Sequence, residues 1–495
     1  MNVMYKSTRN SNEIVTPSRA ILQGLAPDGG LYVPVAVPKL EKSLKELADS
    51  SYQEVAYEVM KLFFTDFSKE ELEYCITNAY DTKFDTEEIA PLVKADGAYY
   101  LELFHGPTIA FKDMALSILP YLMTTAAKKN DIKNDIVILT ATSGDTGKAA
   151  LAGFADVPGT KIIVFYPKDG VSKIQEKQMV TQKGDNTYVV AIHGNFDDAQ
   201  SGVKAIFNNK ELGKKMEEHH LQFSSANSIN IGRLFPQVAY YVYAYTRLLR
   251  NDEIKDGETI NVVVPTGNFG NILAAYYAKK IGLPIGKLIC ASNDNKVLYD
   301  FFHTGEYDKN REFILTTSPS MDILISSNLE RLIYLIAGED SDKTLSFMTS
   351  LSKTGKYQIT ETMKAELKDF EAGYADTQKT ADAIHTLYND TGYVIDTHTA
   401  VASSVLHEYL DKTGDTTKTV IASTASPYKF GRAVMSAIDP KYEDYEDFDL
   451  IDELSKVSNT TIPKAIEEIR TAPIRHHRVC DGSKMQAEVE DILGI

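Results

Sequence analysis

Apolar residues along this chain fall into two patterns, and the patterns change near residue 98. Before that point the hydrophobic positions recur at helical spacing over 44–64 and 69–80, which predicts two amphipathic helices. Ahead of them, APDGGLYVP at 26–34 sets a turn, Asp28-Gly29-Gly30, before a short apolar strand. After residue 98 short unbroken apolar runs alternate with helical stretches. The runs are 136–141 (IVILTA), 161–166, 188–193, 260–264 (INVVV), 288–292 and 420–424 (VIAST). Helices are expected over 148–155, over 196–208 and from the end of PTGNFGN to 277. Strands buried on both faces and separated by helices predict an α/β fold, parallel sheets flanked by helices. Ligands on such sheets sit at the carboxyl ends of strands.

The same texture divides the chain. Residues 1–90 read as an extra N-terminal domain and 98–440 as the main region. Within the latter, about 110–200 is a smaller mobile unit and 296–390 a more polar, helical insertion. Residues 441–495 read as a C-terminal helical segment, with the basic run Arg475–Arg478 taken as a solvated face.

Several stretches stand at strand ends. SGDTG, 143–147, and PTGNFGN, 265–271, each join a buried strand to a helix. Glycines there let backbone N–H groups approach an anion, and the helix N-terminus adds positive potential. A plain strand-to-helix turn explains either stretch alone about as well. Asp145 is awkward beside an anion; facing an amino group or orienting neighbouring N–H groups suits it better. NSINIGR, 227–233, offers two amides, a serine and Arg233, which suits bidentate phosphate binding; a capped helix start at Asn230 with a surface Arg233 is the rival reading. Ser423 and Thr424 end the last apolar run in hydroxyls. In FHGPTIAFKDM, 104–114, Lys112 stands between the apolar Phe111 and Met114. Desolvation lowers an amine's pKa, as Schiff-base chemistry requires, although a lysine head that reaches water is the commoner arrangement. Two anion cups, a half-buried lysine and a hydroxyl strand end on one sheet fit pyridoxal phosphate better than any one of them does.

The chain has 495 residues and a formal net charge of −17, which argues against a general nucleic-acid or membrane-surface binder. No apolar run approaches the ~20 residues of a membrane span. The first ten residues lack a signal peptide's apolar core. Three scattered cysteines, Cys75, Cys290 and Cys480, give neither a zinc spacing nor a disulfide framework. A cytoplasmic, metal-free protein is expected.

The motifs LAPDGGLYVP, FHGPTxAFKD, TSGDTGKAA, YPKDGVSKIQEKQM, NSINIGR, PTGNFGN and STASPYKF together resemble the threonine synthase family in its microbial and fungal branch. These are fold-type II pyridoxal-phosphate enzymes related to the β subunit of tryptophan synthase. The resemblance implies a large and a small catalytic domain and pyridoxal 5′-phosphate as cofactor. It also implies conversion of O-phospho-L-homoserine and water to L-threonine and phosphate by a monomer or homodimer. By the same resemblance Lys112 carries the Schiff base, Gly267, Asn268, Phe269, Gly270 and Asn271 hold the cofactor phosphate, and Thr424 meets the pyridine nitrogen. Ser143, Gly144, Asp145, Thr146 and Gly147 fall to the substrate carboxylate region. Asn227, Ser228, Asn230 and Arg233 fall to its phosphate, with His105 and Thr108 near the reacting carbons. Where relatives read STAHPAKF, Ser426 and Tyr428 stand here. The rivals are another fold-type II lyase, such as a serine or threonine dehydratase, and a non-catalytic relative that keeps the fold.

Overall fold

A computed structural model describes residues 2–142, 144–171 and 173–495, apart from the side chain of Asp197. Two parallel sheets carry the chain. The larger has six strands in the order Phe370–Tyr374, Ile285–Ser292, Ile260–Pro265, Thr419–Ser423, Ala98–Glu102 and Leu92–Ala95; only the last pairs antiparallel, at an edge. The smaller has five parallel strands in the order Arg478–Asp481, Thr187–His193, Thr160–Pro167, Asp135–Ala141 and Leu221–Ser224. The central strands are the expected apolar runs: every residue of INVVVP and of TVIAS is buried. A residue with both faces covered has no polar side to show, so such strands read as unbroken apolar sequence.

A third unit precedes them. Its three-stranded antiparallel sheet is built from Tyr5–Ser7, Ile14–Val15 and Tyr32–Pro34, followed by the helices Tyr52–Phe63 and Lys69–Ala79. Both helices start on a Ser-x-x-Glu box: Ser51 with Glu54, and Ser68 with Glu71, each pair satisfying otherwise orphaned N–H groups. This unit shares one core with the rest. Phe63 stacks on Phe235 at 4.0 Å between ring centres, and Phe235 meets the edge of Tyr277 at 5.1 Å. Arg331, wholly buried, donates to the carbonyls of Tyr32 (2.9 Å) and Ile229 (2.5 Å). A second core lies on the far face of the large sheet, under the helices Thr397–Thr413 and Gly431–Ile438, and a third on the outer face of the small one.

Two expectations differ from what is found. The 296–390 stretch is not only helical: it supplies the edge strand Phe370–Tyr374 and the turn Pro319–Met321, which enters the site described below. FEAGY is half-buried at an edge, so its pattern is mixed and carries little strand signal. The C-terminal segment is likewise not all helix, because Arg478–Asp481 pairs with Thr187–His193. Arg478 there salt-bridges Glu488 and Asp491. Among the described residues no helix is long and apolar enough to cross a membrane. The three cysteines are unpaired and buried.

Phe235→Ala should cost about 3–5 kcal/mol, read from the denaturant midpoint, because it empties the aromatic junction between the N-terminal unit and the large sheet.

Candidate active site

The carboxyl ends of the central strands meet at one crevice. After Ala98–Glu102 the chain turns through FHGPTIAF into the short helix Asp113–Leu116, with Lys112 at its start. The turn is pinned to the end of the neighbouring strand: Phe111 N–H donates to the Thr424 carbonyl (2.8 Å) and Ser426 N–H to the Ile109 carbonyl (3.0 Å). Thr424 itself is buried. Lys112 therefore sits where two strands of the sheet end.

The Lys112 side chain is 11% exposed. Its amine donates to the Ser320 hydroxyl at 3.2 Å and lies 3.8 Å from Asp145 Oδ2. Burial pushes the amine down to about 8; Asp145 and Asp113 pull it the other way, while Lys429 and Arg233 deepen the lowering. The commoner arrangement, a head group in water, is not the one found.

Asp145 faces amino groups, as its awkwardness beside an anion suggested. Its Oδ1 lies 3.2 Å from the amine of Lys429 and accepts from Gln175 Nε2 (2.9 Å), while Oδ2 accepts from Ser320 (3.0 Å). The two lysines hold its pKa far below the usual carboxylate range against the burial that opposes ionisation. Gly144, just before it, has φ +133°, and a Cβ there would fall 2.6 Å from the Gln175 side chain. Gly144 and Gly147 N–H groups both donate to Thr142 Oγ1, at 3.0 and 2.9 Å. Thr146 is half-buried in the first helical turn. Ser143 lies outside the described residues.

On the other side is the turn 267–271. Phe269 is left-handed, φ 67°, and buried, and Gly270 starts the helix Gly270–Ile281. A Cβ on Gly267 would come 2.6 Å from the Ser320 carbonyl, so only glycine lets the Pro319–Met321 turn close against it. Asn271 gives Oδ1 to the Tyr241 hydroxyl and leaves Nδ2 buried with no partner. Asn268 is exposed; its carbonyl accepts from Asn328 N–H (3.0 Å).

Asn328 also donates to the Ser228 carbonyl (3.2 Å), which joins this turn to NSINIGR. Asn230 caps the helix Ile231–Leu234, and its amide is fully engaged, Oδ1 by Gly232 N–H (2.8 Å) and Nδ2 by the Ile21 carbonyl (2.9 Å). Arg233, however, is not on the surface. It is 4% exposed, has no carboxylate partner among the described residues, gives one bond to the Ala226 carbonyl (2.9 Å) and leaves Nε unpaired. Burial alone pushes the guanidinium down to about 10. An uncompensated buried cation is costly, so its retention marks a place for an anion. Its helix packs against both Asp113–Leu116 and Gly270–Ile281.

The crevice thus gathers Lys112, Asp145, Gly144, Arg233, Thr424 and the 267–271 turn. Asn227 is exposed at its margin. Thr108 and His105 spend their side chains locally. Thr108 donates to Asp113 (2.6 Å). His105 holds Asp85 at 2.5 Å and Glu102 at 2.8 Å. Sequence reasoning missed Lys429, Ser320, Gln175, Asn328 and the pair His398–Asp396, in which His398 Nε2 accepts from Ser320 N–H (3.1 Å). Lys429 stands inside STASPYKF and was legible as a motif member only. The motif's two departures turn away from the amine: Ser426 accepts from Tyr428 N–H, and the Tyr428 hydroxyl bonds Thr460.

The family model for pyridoxal-phosphate dependent enzymes matches residues 84–425. Models for the threonine synthase N terminus and C-terminal region match 4–80 and 399–486. Threonine synthase of Schizosaccharomyces pombe is 37% identical over 475 residues, covering 90% of each chain.

The chain belongs to the threonine synthase family.

Its fold is accordingly fold type II, with pyridoxal 5′-phosphate as cofactor. The crystal structure of pyridoxal-phosphate-bound threonine synthase from Brucella melitensis superposes with a TM-score of 0.87 at 34% identity, covering 99% of this chain and 98% of that one. Threonine synthase-like 1 of Homo sapiens is 38% identical over 486 residues; the match covers 96% of this chain but 63% of that protein. The residues present fit the family's cofactor. A desolvated amine lies beside a glycine turn at a helix N-terminus, with an unpartnered amide, Asn271 Nδ2, in that turn. Among the described residues no cluster of acidic, histidine or cysteine side chains is placed to hold a metal.

His105 offers a pH test. Burial disfavours its charge, but Asp85 and Glu102 outweigh that and raise it from 6.5 to about 9. The folded chain therefore keeps a proton that the unfolded chain loses above about 6.5, so the stabilisation is full below that pH and vanishes as pH rises through 9. His105→Gln should flatten this fall in melting temperature, removing on the order of 1–3 kcal/mol at the acid end.

Proposed function

We propose that this protein is a threonine synthase: a carbon–oxygen lyase that converts O-phospho-L-homoserine and water to L-threonine and phosphate. The observation that carries the reading is Arg233, a buried guanidinium without a counter-ion among the described residues, beside the desolvated amine of Lys112. A dehydratase acting on serine or threonine has no substrate phosphate to place and no use for that charge. A non-catalytic relative has no reason to keep Lys112 out of water.

The roles follow from what each group is able to do. Lys112 binds the cofactor covalently, and the 267–271 turn takes its phosphate through backbone N–H groups and Asn271. The bound cofactor supplies a conjugated ring that acidifies the substrate's α and β protons. Lys112, freed by the substrate amine, takes the proton at Cα, hands it on to the conjugated system and, a free amine again, takes the one at Cβ; an amine near 8 is matched to that task at neutral pH. Arg233 holds the γ-phosphate until it leaves, with Ser228 and Asn227 at the rim. The backbone N–H groups of Asp145 and Thr146 meet the substrate carboxylate, since those of Gly144 and Gly147 are spent on Thr142 and the Asp145 side chain is already occupied by Lys429 and Ser320. Thr424 offers the ring nitrogen a hydroxyl, which favours leaving that nitrogen unprotonated. His105 and Thr108 act from behind, fixing the turn that carries Lys112. Three unpaired buried cysteines support a cytoplasmic enzyme, and the family resemblance implies a monomer or homodimer.

Lys112→Ala should purify without the visible cofactor band and release phosphate from O-phospho-L-homoserine at least about 10²–10⁴-fold more slowly. Wild-type turnover in that variant would remove Lys112 from the mechanism. Arg233→Met keeps the buried volume and removes the charge. KM should rise roughly 10–100-fold while the melting temperature holds or increases, because a stranded charge is lost. An unchanged KM would place the substrate phosphate elsewhere.

A further inference from the structure

Lys429 has no role in the reading above, yet its side chain is 0% exposed and its amine lies 3.2 Å from Asp145 Oδ1. A fully buried lysine is rare and needs a partner. Its second bond runs to the Thr108 carbonyl at 3.0 Å, inside the turn that leads to Lys112. Asp145 therefore has both oxygens taken before Lys112 is considered. Oδ1 is held by Lys429 and Gln175, and Oδ2 by the Ser320 hydroxyl at 3.0 Å. Lys112 reaches Asp145 only at 3.8 Å, with Ser320 as the nearer contact at 3.2 Å.

We propose that Lys429 is a positioning residue: it takes up the charge of Asp145, so that Lys112, one hydroxyl away, is left an unpaired amine. The charged groups acting on Lys112 are Asp145, Lys429, Arg233 and Asp113. Of the two carboxylates, Asp113 is committed to Thr108, at 2.8 Å through its backbone N–H and 2.6 Å through its hydroxyl. Asp145 is thus the carboxylate able to claim Lys112. Without Lys429 it would do so, and the base would become a salt-bridged ammonium.

The inference rests on Lys112 being the reactive amine, but its test needs neither substrate nor turnover, so it fails separately from the proposed reaction. The full-length chain, freed of cofactor, is pulsed with acetic anhydride from about pH 6 to about pH 10, and acetylation of Lys112 is read by mass spectrometry. The wild-type midpoint should lie at about 8. Lys429→Met should move it upward by about one unit or more, the effect of an opposite charge newly unshared within a few ångströms. Lys429→Arg, which keeps the charge, should stay near wild type, and Asp145→Asn should move the midpoint downward. A purely structural role for Lys429 would lower the melting temperature of Lys429→Met without moving the midpoint, and that result overturns the proposal. Should Lys429→Met not fold, Lys429→Gln, which still donates to the Thr108 carbonyl, is read in the same way.

Discussion

Three basic side chains, Lys112, Lys429 and Arg233, are withdrawn from water in one crevice, and a single carboxylate, Asp145, lies 3.2 Å from Lys429 and 3.8 Å from Lys112. Burying an ion costs several kcal/mol unless a partner returns it, so each contact here is forced by the others. Asp145 must stand at a helix start, after the Asp135–Ala141 strand of the small sheet, and still reach the two lysines carried at strand ends of the large one. That position needs Gly144 to turn where a side chain would strike Gln175. Arg233 has no carboxylate partner among the described residues. Compensation is thus unequal among the three: Lys429 has a carboxylate at 3.2 Å, Lys112 the same one at 3.8 Å, and Arg233 none among the described residues.

The surroundings hold this arrangement rather than contribute to it chemically. Arg331 fastens the N-terminal sheet, through Tyr32, to the loop that carries Asn227–Asn230, through Ile229. Glu330, beside it, accepts from Arg9 at 2.9 and 2.8 Å and from Thr8 at 2.6 Å. The N-terminal unit is thus a brace for the loop next to Arg233. The parallel sheets supply the rest, since their strand ends present turns in register on one side.

Much of the fold was legible because fully buried strands have no polar side: INVVV and IVILTA announce themselves. Among the strands that were not read, Leu92–Ala95, Phe370–Tyr374, Arg478–Asp481 and Leu221–Ser224 lie at sheet edges where burial is partial and the pattern weakens. Ala98–Glu102 was also missed although it is an interior, buried strand. The glycine turns and Lys112 were legible as local motifs. Lys429, Ser320 and Asn328 were not, because their meaning lies in partners distant in the sequence, from 78 residues for Ser320 and His398 to 321 for Lys429 and Thr108, and no periodicity reports such a meeting. Arg233 shows the limit from the other side: the residues of NSINIGR allowed a surface arginine as readily as a buried one, and only packing decides between them.

The pairing of Arg478–Asp481 with Thr187–His193 bears on how the chain acquires its shape during synthesis. The strand that closes one side of the small sheet is made roughly 285 residues after the strand it covers. At ribosomal speeds of about 5–20 residues per second, that leaves an open hydrogen-bonding edge for about 15–60 s. An unpaired strand edge is a template for any extended peptide nearby. The Arg478–Asp481 strand therefore serves as a belated shield for the Thr187–His193 edge.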